Sequence, residues 1–251
     1  NVLPNAISIQ SNTINFKFKP QNNNVKIEAK PDLKYLKIKN NLRLSQKNCV
    51  SWKQALDYQK ANSIQEEMII FQGHLSKKCS NKEIDLSVID NGRYFYEVFK
   101  YLWVQNGGNF SGGYWVNNNE RLEGKLIASH LSRPLGVLIR DMNKYSLNLM
   151  ARNLMLTVIA EDLKKQVTED DVNHFVLDWL GNQGIATNNI FIENGAGLSR
   201  RTSINAESLL EIMDKIYEHP YMPEILSSFS ILDEDGTLEK KMPFSKVKKN
   251  G

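Results

Sequence analysis

Residues 14–19 and 25–30 alternate apolar and polar side chains, which is the period of a strand with one buried and one solvated face. Turn-forming residues separate these segments, at 20–24 and again at Pro31-Asp32. Residues 35–39 and 68–71 also have the composition of strands. The first part of the chain is therefore predicted to be an antiparallel β module.

The apolar positions change to helical spacing after residue 90. Tyr94, Val98 and Leu102 recur along one face of a predicted helix, which the Asn-Gly-Gly sequence at 106–108 should end. A short strand is predicted to follow at residues 114–116.

The remainder is predicted to be largely helical. Residues 131–160 form the longest helical stretch, and Pro134 suits its first turn. Thr168 is positioned to cap another helix whose first turn is acidic, and Asn205 opens a further helix. Between these two helices, residues 190–192 are predicted to be a short buried strand.

Composition narrows the class of protein. With 41% hydrophobic and 24% charged residues, the chain can bury a core, which argues against wholesale disorder. No apolar run reaches the ~18 residues of a membrane span. The 32 Lys and Arg exceed the 28 Asp and Glu by only four. Because nucleic-acid binding usually needs a stronger and more clustered basic excess, no nucleic-acid partner is expected.

Cys49 and Cys79 are the only cysteines of the sequence. They do not form a Cys-x-x-Cys pair and no histidine cluster accompanies them, so a zinc site is not predicted. They fit either two free thiols of a cytosolic protein or a disulfide of an exported one. A disulfide closing this loop would contribute about 3–4 kcal/mol in the chain-entropy view.

The most informative segment is residues 142–152, which read Met-Asn-Lys-Tyr-Ser-Leu-Asn-Leu-Met-Ala-Arg. The pattern Ser146-x-Asn148 is common by chance when taken alone. Here, however, its polar residues stand between apolar helical stretches at 135–142 and 149–156. Because Ser and Asn compete with the helical backbone for hydrogen bonds, this pattern predicts a helix junction that displays polar groups.

This segment resembles the second catalytic motif of the class C low-molecular-mass penicillin-binding proteins, the D-alanyl-D-alanine carboxypeptidase/endopeptidase family. Ser132-Arg133-Pro134-Leu135 precedes it as the family's S-x-x-L does. Leu147 replaces the usual central Asn or Asp, a position that varies in related enzymes. Arg152 replaces the usual Glu, and nothing in the sequence explains that exchange.

Two further segments match the same family in the same order. Residues 194–200, Asn-Gly-Ala-Gly-Leu-Ser-Arg, correspond to its D-G-S-G-L-S-R. Residues 235–238, Asp-Gly-Thr-Leu, correspond to its D-G-T-L, with Lys241 and Met242 where the family has R-M. The resemblance covers residues 90–251, and the earlier residues fit the domain that members insert between catalytic motifs.

The resemblance implies an α+β chain. It would comprise part of a serine β-lactamase/transpeptidase-like α/β domain plus an inserted antiparallel β domain. The expected divisions are residues 1–88 for the inserted β domain, 89–125 for a connecting helix and strand, and 126–251 for the helical, central part of the transpeptidase-like domain.

The resemblance also implies a function. The protein would be a serine peptidase that cleaves D-Ala-D-Ala stem peptides of peptidoglycan through an acyl-enzyme and binds β-lactam antibiotics. Ser146 would relay a proton to the leaving nitrogen, and Asn148 would act in catalysis and hold the substrate amide. The role of Lys144 in the family looks structural. No metal or organic cofactor is expected.

A wall-peptide enzyme works in a periplasmic or extracytoplasmic compartment. Because that compartment is oxidising, the resemblance implies that Cys49 and Cys79 form a disulfide. The sequence leaves a homodimer open as the oligomeric state.

Enzymes of this class also need a Ser-x-x-Lys that supplies the nucleophile and a Lys-Thr-Gly that binds the substrate carboxylate. Ser245-x-x-Lys248 follows Ser146 instead of preceding it, and is interpreted as a chance match in a Lys-rich tail. The sequence is therefore interpreted as an internal portion of a larger enzyme, which alone should not be acylated by penicillin. The alternative is a non-catalytic, truncated protein that binds cell-wall peptide or polymer. A β-lactamase is disfavoured by residues 194–200 and by the leading β module.

Overall fold

The structure is a computed structural model that describes residue 5 and residues 7–62, 67–116 and 125–239. The chain divides into two compact units, Asn1–Leu122 and Glu123–Gly251. Among the described residues, the N-terminal unit holds six strands and one long helix, and the C-terminal unit holds five helices. The chain is therefore α+β, as predicted. The assignment of these units to an inserted domain and a transpeptidase-like domain stays a prediction.

The strands of the N-terminal unit form two three-stranded sheets. They are β1 (Ile14–Gln21), β2 (Asn24–Lys30), β3 (Leu36–Ser45), β4 (Leu56–Asn62), β5 (Glu67–Ser76) and β6 (Lys82–Leu86). In the first sheet β1 lies between β2 and β6 and is antiparallel to both. In the second sheet β5 lies at the centre, antiparallel to β4 and parallel to β3.

The parallel β3–β5 pair departs from the predicted antiparallel module. β4 follows β3 along the chain but pairs with β5, to which it is antiparallel. β5 therefore lies between β3 and β4 and runs in the same direction as β3. Alternation of apolar residues reports which face of a strand is buried and not which strand it pairs with. The pattern therefore predicted β1, β2, β3 and β5, missed β4 and β6, and could not predict this pairing.

The core of the N-terminal unit is aromatic. The ring centroids of Phe16 and Phe18 of β1 lie 5.0 and 5.1 Å from that of Phe71 of β5. Both pairs are edge-to-face, which is an arrangement that aromatic rings prefer. All three side chains are fully buried, whereas Lys17 and Lys19 between them face outward. The predicted alternation along β1 is thus confirmed.

Helix α1 (Asn91–Gln105) begins and ends where the sequence predicts. Its N-cap residue Asp90 accepts a hydrogen bond from a backbone N–H of the first turn, and the helix ends at the Asn-Gly-Gly sequence. The strand predicted at residues 114–116 is wrong, since these described residues pair with no other strand. Tyr114 instead packs its ring against Tyr96 of α1, with 5.6 Å between centroids.

The C-terminal unit is built from helices separated by short connections. They are α2 (Leu135–Tyr145), α3 (Asn148–Leu163), α4 (Asp170–Asn182), α5 (Ala206–Glu218) and α6 (Met222–Ser228). The predicted helical stretch at 131–160 is therefore two helices with the polar Ser146-Leu147 junction between them, which confirms the interpretation of that segment.

The start of α4 differs in detail from the prediction. Thr168 does not accept a hydrogen bond from the helix. It donates its backbone N–H and its hydroxyl to the carboxylate of Asp171 in the first turn, which is the returning half of a capping box. Asn205, in contrast, caps α5 as predicted, because its side chain accepts a hydrogen bond from Ser208 N at 2.7 Å. The strand predicted at 190–192 is reduced to a single bridge between Phe191 and Ser203.

Cys49 and Cys79 are disulfide-bonded, with 5.2 Å between their Cα atoms. The bond ties the connection between β3 and β4 to the segment that follows β5. No described cysteine is free. Among the helices that the structure describes, none is both long and apolar enough to cross a membrane.

Removing this disulfide should destabilise the protein. We expect the Cys49→Ser, Cys79→Ser double variant to lose about 3–4 kcal/mol of unfolding free energy, because the unfolded chain regains the freedom of the closed loop. Urea unfolding with and without reductant measures the loss, and the double variant serves as its own control because reductant should not affect it. Titration of the unreduced, denatured protein should find no thiol at these positions. Two titratable thiols would contradict the prediction.

Candidate active site

The junction between α2 and α3 has an unusual backbone. Ser146 has φ 54° and ψ 53°, the left-handed conformation, and its N–H donates to the Met142 carbonyl as a helix C-cap. A residue with a Cβ pays about 1–2 kcal/mol to adopt this conformation. The surrounding contacts must therefore hold the turn in place.

Lys144, in the last turn of α2, provides one such contact. The residue is only 5% exposed, and its ammonium donates to the Phe229 carbonyl at 3.0 Å and to the carboxylate of Asp235. Because a buried ammonium loses its hydration, it needs a carboxylate and further acceptors close by. The other carboxylate oxygen of Asp235 accepts the Ile231 N–H at 2.9 Å, so this partner is itself fixed.

The segment that carries Asp235 contacts the end of α2 at several points. Ser230 Oγ donates to the Lys144 carbonyl at 3.2 Å, and Asn143 Nδ2 donates to Ser228 Oγ at 2.8 Å. Gly236 has φ 62°, and a Cβ there would collide with the Lys144 carbonyl oxygen. Glycine is therefore required at this point both by conformation and by space. The Met-Asn-Lys and Asp-Gly-Thr-Leu segments thus pack directly against each other.

Asn148 connects the junction to the glycine-rich loop. Its Nδ2 donates to the Ala196 carbonyl at 2.6 Å. Gly195 and Gly197 on either side of that residue have φ of 68° and 72°, and Asn194 Oδ1 accepts the Ala196 N–H at 3.1 Å. The loop conformation is therefore set by its glycines and by its own Asn, and Asn148 attaches it to the start of α3.

A shallow cleft of about 220 Å³ lies between the junction and the loop. It is lined by Met142, Asn143, Ser146, Leu147, Asn148, Ala151, Gly195, Ala196 and Gly197. The Ser146 side chain is exposed there, and its hydroxyl makes no hydrogen bond to any described residue. Both predicted site residues, Ser146 and Asn148, therefore lie in the same cleft, whereas Lys144 does not line it.

Arg152 lies on α3, one turn beyond Asn148. Its guanidinium forms an ion pair with Glu169, the residue just before α4. The side chain of Arg152 is 17% exposed and that of Glu169 is 38% exposed, so only the arginine side of the pair is largely shielded from water. A glutamate at position 152 would place two carboxylates together here. The exchange that the sequence left unexplained is thus compatible with the acid at position 169.

Sequence reasoning did not identify two of these contacts. The pairing of Lys144 with Asp235 joins residues 91 apart, and charges at that separation carry no signal of contact. The Ala196 carbonyl that engages Asn148 is a backbone group, which no residue type reveals. Both halves of each contact did, however, lie in the segments that carried the family resemblance.

Lys144 and Asp235 should respond unequally to substitution. Asp235→Asn leaves a buried ammonium without a charged partner, whereas Lys144→Met removes the buried charge and leaves a carboxylate that is one third exposed. We therefore expect Asp235→Asn to lower the Tm more than Lys144→Met in thermal unfolding at pH 7. Lys165→Met, which breaks the exposed pair with Asp171, is the matched control and should change the Tm little. A reversed order of the first two variants would contradict the expectation.

The same pair predicts a pH dependence. Hydrogen bonds from Lys144 and from the Ile231 N–H lower the pKa of Asp235 below its ordinary value of 3.8. A lowered pKa means that the carboxylate stabilises the fold above pH 3.8 and that this contribution is lost as the pH falls through the folded-state pKa. The Tm of the wild-type protein should therefore fall more steeply below pH 4 than that of Asp235→Asn. Parallel acid profiles would refute this.

Known proteins resemble this chain in sequence and in fold. D-alanyl-D-alanine carboxypeptidase DacB of Haemophilus influenzae is 26% identical over 167 residues, which cover 66% of this chain and 35% of that relative. The crystal structure of penicillin binding protein 4 (dacB) from the same organism gives a TM-score of 0.77 at 21% identity, covering 94% of this chain and 51% of the other. Its complex with a novel β-lactam gives 0.74, covering 94% and 54%.

This chain spans between about a third and a half of the length of those relatives. The structural likeness extends over both units, and at this level of identity it establishes the fold. The profile of the D-Ala-D-Ala carboxypeptidase 3 (S13) family matches residues 2–251. Because that match covers nearly the whole chain, the chain belongs to the D-Ala-D-Ala carboxypeptidase 3 (S13) family.

Proposed function

We propose that the protein carrying these residues is a serine-type D-alanyl-D-alanine carboxypeptidase/endopeptidase that acts on peptidoglycan stem peptides and is acylated by β-lactams. The observation that carries the proposal is the convergence of three segments far apart in the chain. Residues 235–238 and 194–200 each contact residues 142–152, through the Lys144–Asp235 and Asn148–Ala196 interactions. Membership of the S13 family supports the same reaction.

Ser146 is suited to proton relay in this reaction. A serine nucleophile attacks the D-Ala-D-Ala amide carbonyl, an acyl-enzyme forms, and D-Ala leaves as an amine that must gain a proton. A hydroxyl can accept a proton and donate one in the same step. The Ser146 hydroxyl is exposed in the cleft and makes no hydrogen bond within the described residues, so it is free for this role. The nucleophile and its lysine are not assigned to a described residue.

Asn148 has a divided role in the proposal. The Ala196 carbonyl can only accept a hydrogen bond, so the atom facing it must be the amide nitrogen Nδ2. The opposite atom, Oδ1, accepts no hydrogen bond from a described residue and remains available for a substrate N–H. Asn148 would therefore hold the loop with one atom and the substrate peptide with the other.

Location and partners follow from the substrate. Stem peptides and β-lactams are met outside the cytoplasm, and the Cys49–Cys79 disulfide is typical of proteins in an oxidising compartment. We therefore place the protein in the periplasm or another extracytoplasmic location.

Two substitutions at one position test the relay. Ser146→Ala and Ser146→Gly both remove the hydroxyl, and each should lower the acylation rate about 10²–10⁴-fold in the full gene product, or roughly 3–5 kcal/mol in the barrier. Ser146→Ala keeps the Cβ and removes an exposed hydroxyl, so it should change stability little, whereas Ser146→Gly should stabilise the fold because glycine adopts the left-handed backbone readily. D-Ala release and fluorescent-penicillin labelling measure the rate, and thermal unfolding measures the stability.

Ser227→Ala is the matched control, because Ser227 is exposed on α6, does not line the cleft, and bonds only to a carbonyl of its own helix. It should keep turnover within about twofold, the range that a substitution without a catalytic role allows. Normal turnover in both Ser146 variants would reject the relay. A wild-type protein that binds wall peptide but takes no penicillin label would favour the non-catalytic alternative.

A further inference from the structure

A groove in the N-terminal unit lies far along the chain from the residues of the candidate active site. The connection between β3 and β4, residues 46–55, forms one side of it, and the end of β5 forms the other. Its volume is about 760 Å³. Its lining includes Gln46, Lys47, Asn48, Trp52, Gln54 and His74.

The walls of this groove are held firmly. The Cys49–Cys79 disulfide fastens the middle of the connection. Ser76 Oγ donates to the Lys47 carbonyl near one end, and the His74 N–H donates to the Ala55 carbonyl at 2.9 Å near the other. A loop fixed at both ends and in the middle loses little conformational freedom when a ligand binds. Binding there therefore carries only a small entropic cost of ordering the loop.

Trp52 gives the groove an aromatic surface. Its ring centroid lies 6.3 Å from that of Phe18, so the indole packs against the core while it remains partly exposed to the groove. An indole ring has an apolar body and a single polar N–H, which suits a ligand with an apolar face and polar edges.

The polar side chains around Trp52 are uncommitted. Those of Gln46, Gln54 and His74 make no hydrogen bond to any described residue, and the Asn48 amide engages only Lys78, at 3.3 Å through its oxygen. No described carboxylate lines the groove. The groove therefore offers several neutral donors and acceptors around an aromatic ring together with one lysine, Lys47, and no described acid that would attract a cation.

We propose that this groove binds the glycan strand of peptidoglycan, that is, an oligosaccharide of N-acetylated hexosamines. A pyranose ring has a face of C–H groups that can pack on an indole, and its hydroxyl and acetamido groups both donate and accept hydrogen bonds at the ring edge. Uncommitted amide and imidazole groups around Trp52 match those edge groups, and few polar groups in a concave site suffice to orient a ligand. The inference rests on the proposed function, because peptidoglycan carries both stem peptides and glycan.

The proposal has a consequence for substrate choice. Glycan and stem peptide belong to the same polymer. When one of them is bound at its site, the other therefore reaches its own site at a raised effective concentration. The groove would therefore assist action on intact peptidoglycan and contribute nothing to action on a soluble peptide. Loss of the groove should raise KM for the polymer while KM for the soluble peptide stays unchanged.

Fluorine NMR of the full gene product labelled with 5-fluorotryptophan tests the binding directly. The signal of Trp52 is assigned by its absence in Trp52→Phe, and the probe is the N-acetylglucosamine tetramer. We expect a saturable shift of the Trp52 signal, with no shift from Trp179 in the other unit. Gln54→Ala should weaken binding about 3–10-fold, the range of one lost hydrogen bond. Gln59→Ala, an exposed glutamine on β4 that does not line the groove, is its matched control and should bind normally.

Trp52→Ala should abolish binding, but the ring also packs on the core. Gln54→Ala, which removes a side chain without a structural partner, therefore decides the outcome if Trp52→Ala fails to fold. No shift of Trp52 at millimolar tetramer overturns the proposal. Equal binding of maltotetraose, which lacks acetamido groups, also overturns it, as does a response to an anionic wall polymer alone.

Fluorescent-penicillin labelling separates this proposal from the one on which it rests. Gln54→Ala should be labelled at the wild-type rate, because it does not touch the candidate active site. If penicillin does not label the wild-type protein, the proposed reaction is refuted. The tetramer titration then still tests glycan binding, because it does not depend on acylation.

Discussion

The contact on which the candidate active site depends is the burial of the Lys144 ammonium. A charge taken out of water to 5% exposure is tolerated only beside a carboxylate and well-placed acceptors. Asp235 and the Phe229 carbonyl meet that need, and they belong to a segment that begins some 85 residues later in the chain. The segment must therefore close against the end of α2, so closely that Gly236 has no room for a side chain. The position of the turn at Ser146 follows from this closure.

The second contact applies the same principle with uncharged groups. Asn148 Nδ2 and the Ala196 carbonyl join the start of α3 to the glycine-rich loop. A neutral hydrogen bond is worth less when made, and costs less when broken, than a buried ion pair. The two contacts hold the junction from its two helices, α2 on one side and α3 on the other. Ser146, between them, is left with a fixed backbone and a hydroxyl that bonds to no described residue.

The sequence predicted those features that depend on neighbouring residues. Alternation along β1, the cap at Asn205 and the polar junction between α2 and α3 are all local, and the structure has them. Three features that depend on distant partners were missed. The parallel pairing of β3 with β5 is decided by the path of β4, and Tyr114 packs on α1 because an aromatic partner is there, not because its own segment lacks strand propensity. The partner of Arg152 is likewise visible only once α3 and α4 are folded.

The backbone of Ser146 bears on the nature of the site itself. Glycine at this position would adopt φ 54° without the cost of about 1–2 kcal/mol that a Cβ brings, so serine is not the choice that favours stability. Strain of this kind persists where surrounding contacts over-determine the conformation, which the Lys144 and Asn148 contacts do. The turn contains a hydroxyl that stabilises nothing within the described residues, at a backbone position that glycine would adopt without strain. That combination is expected of a group that serves chemistry, and it is the structural reason for proposing proton transfer at Ser146.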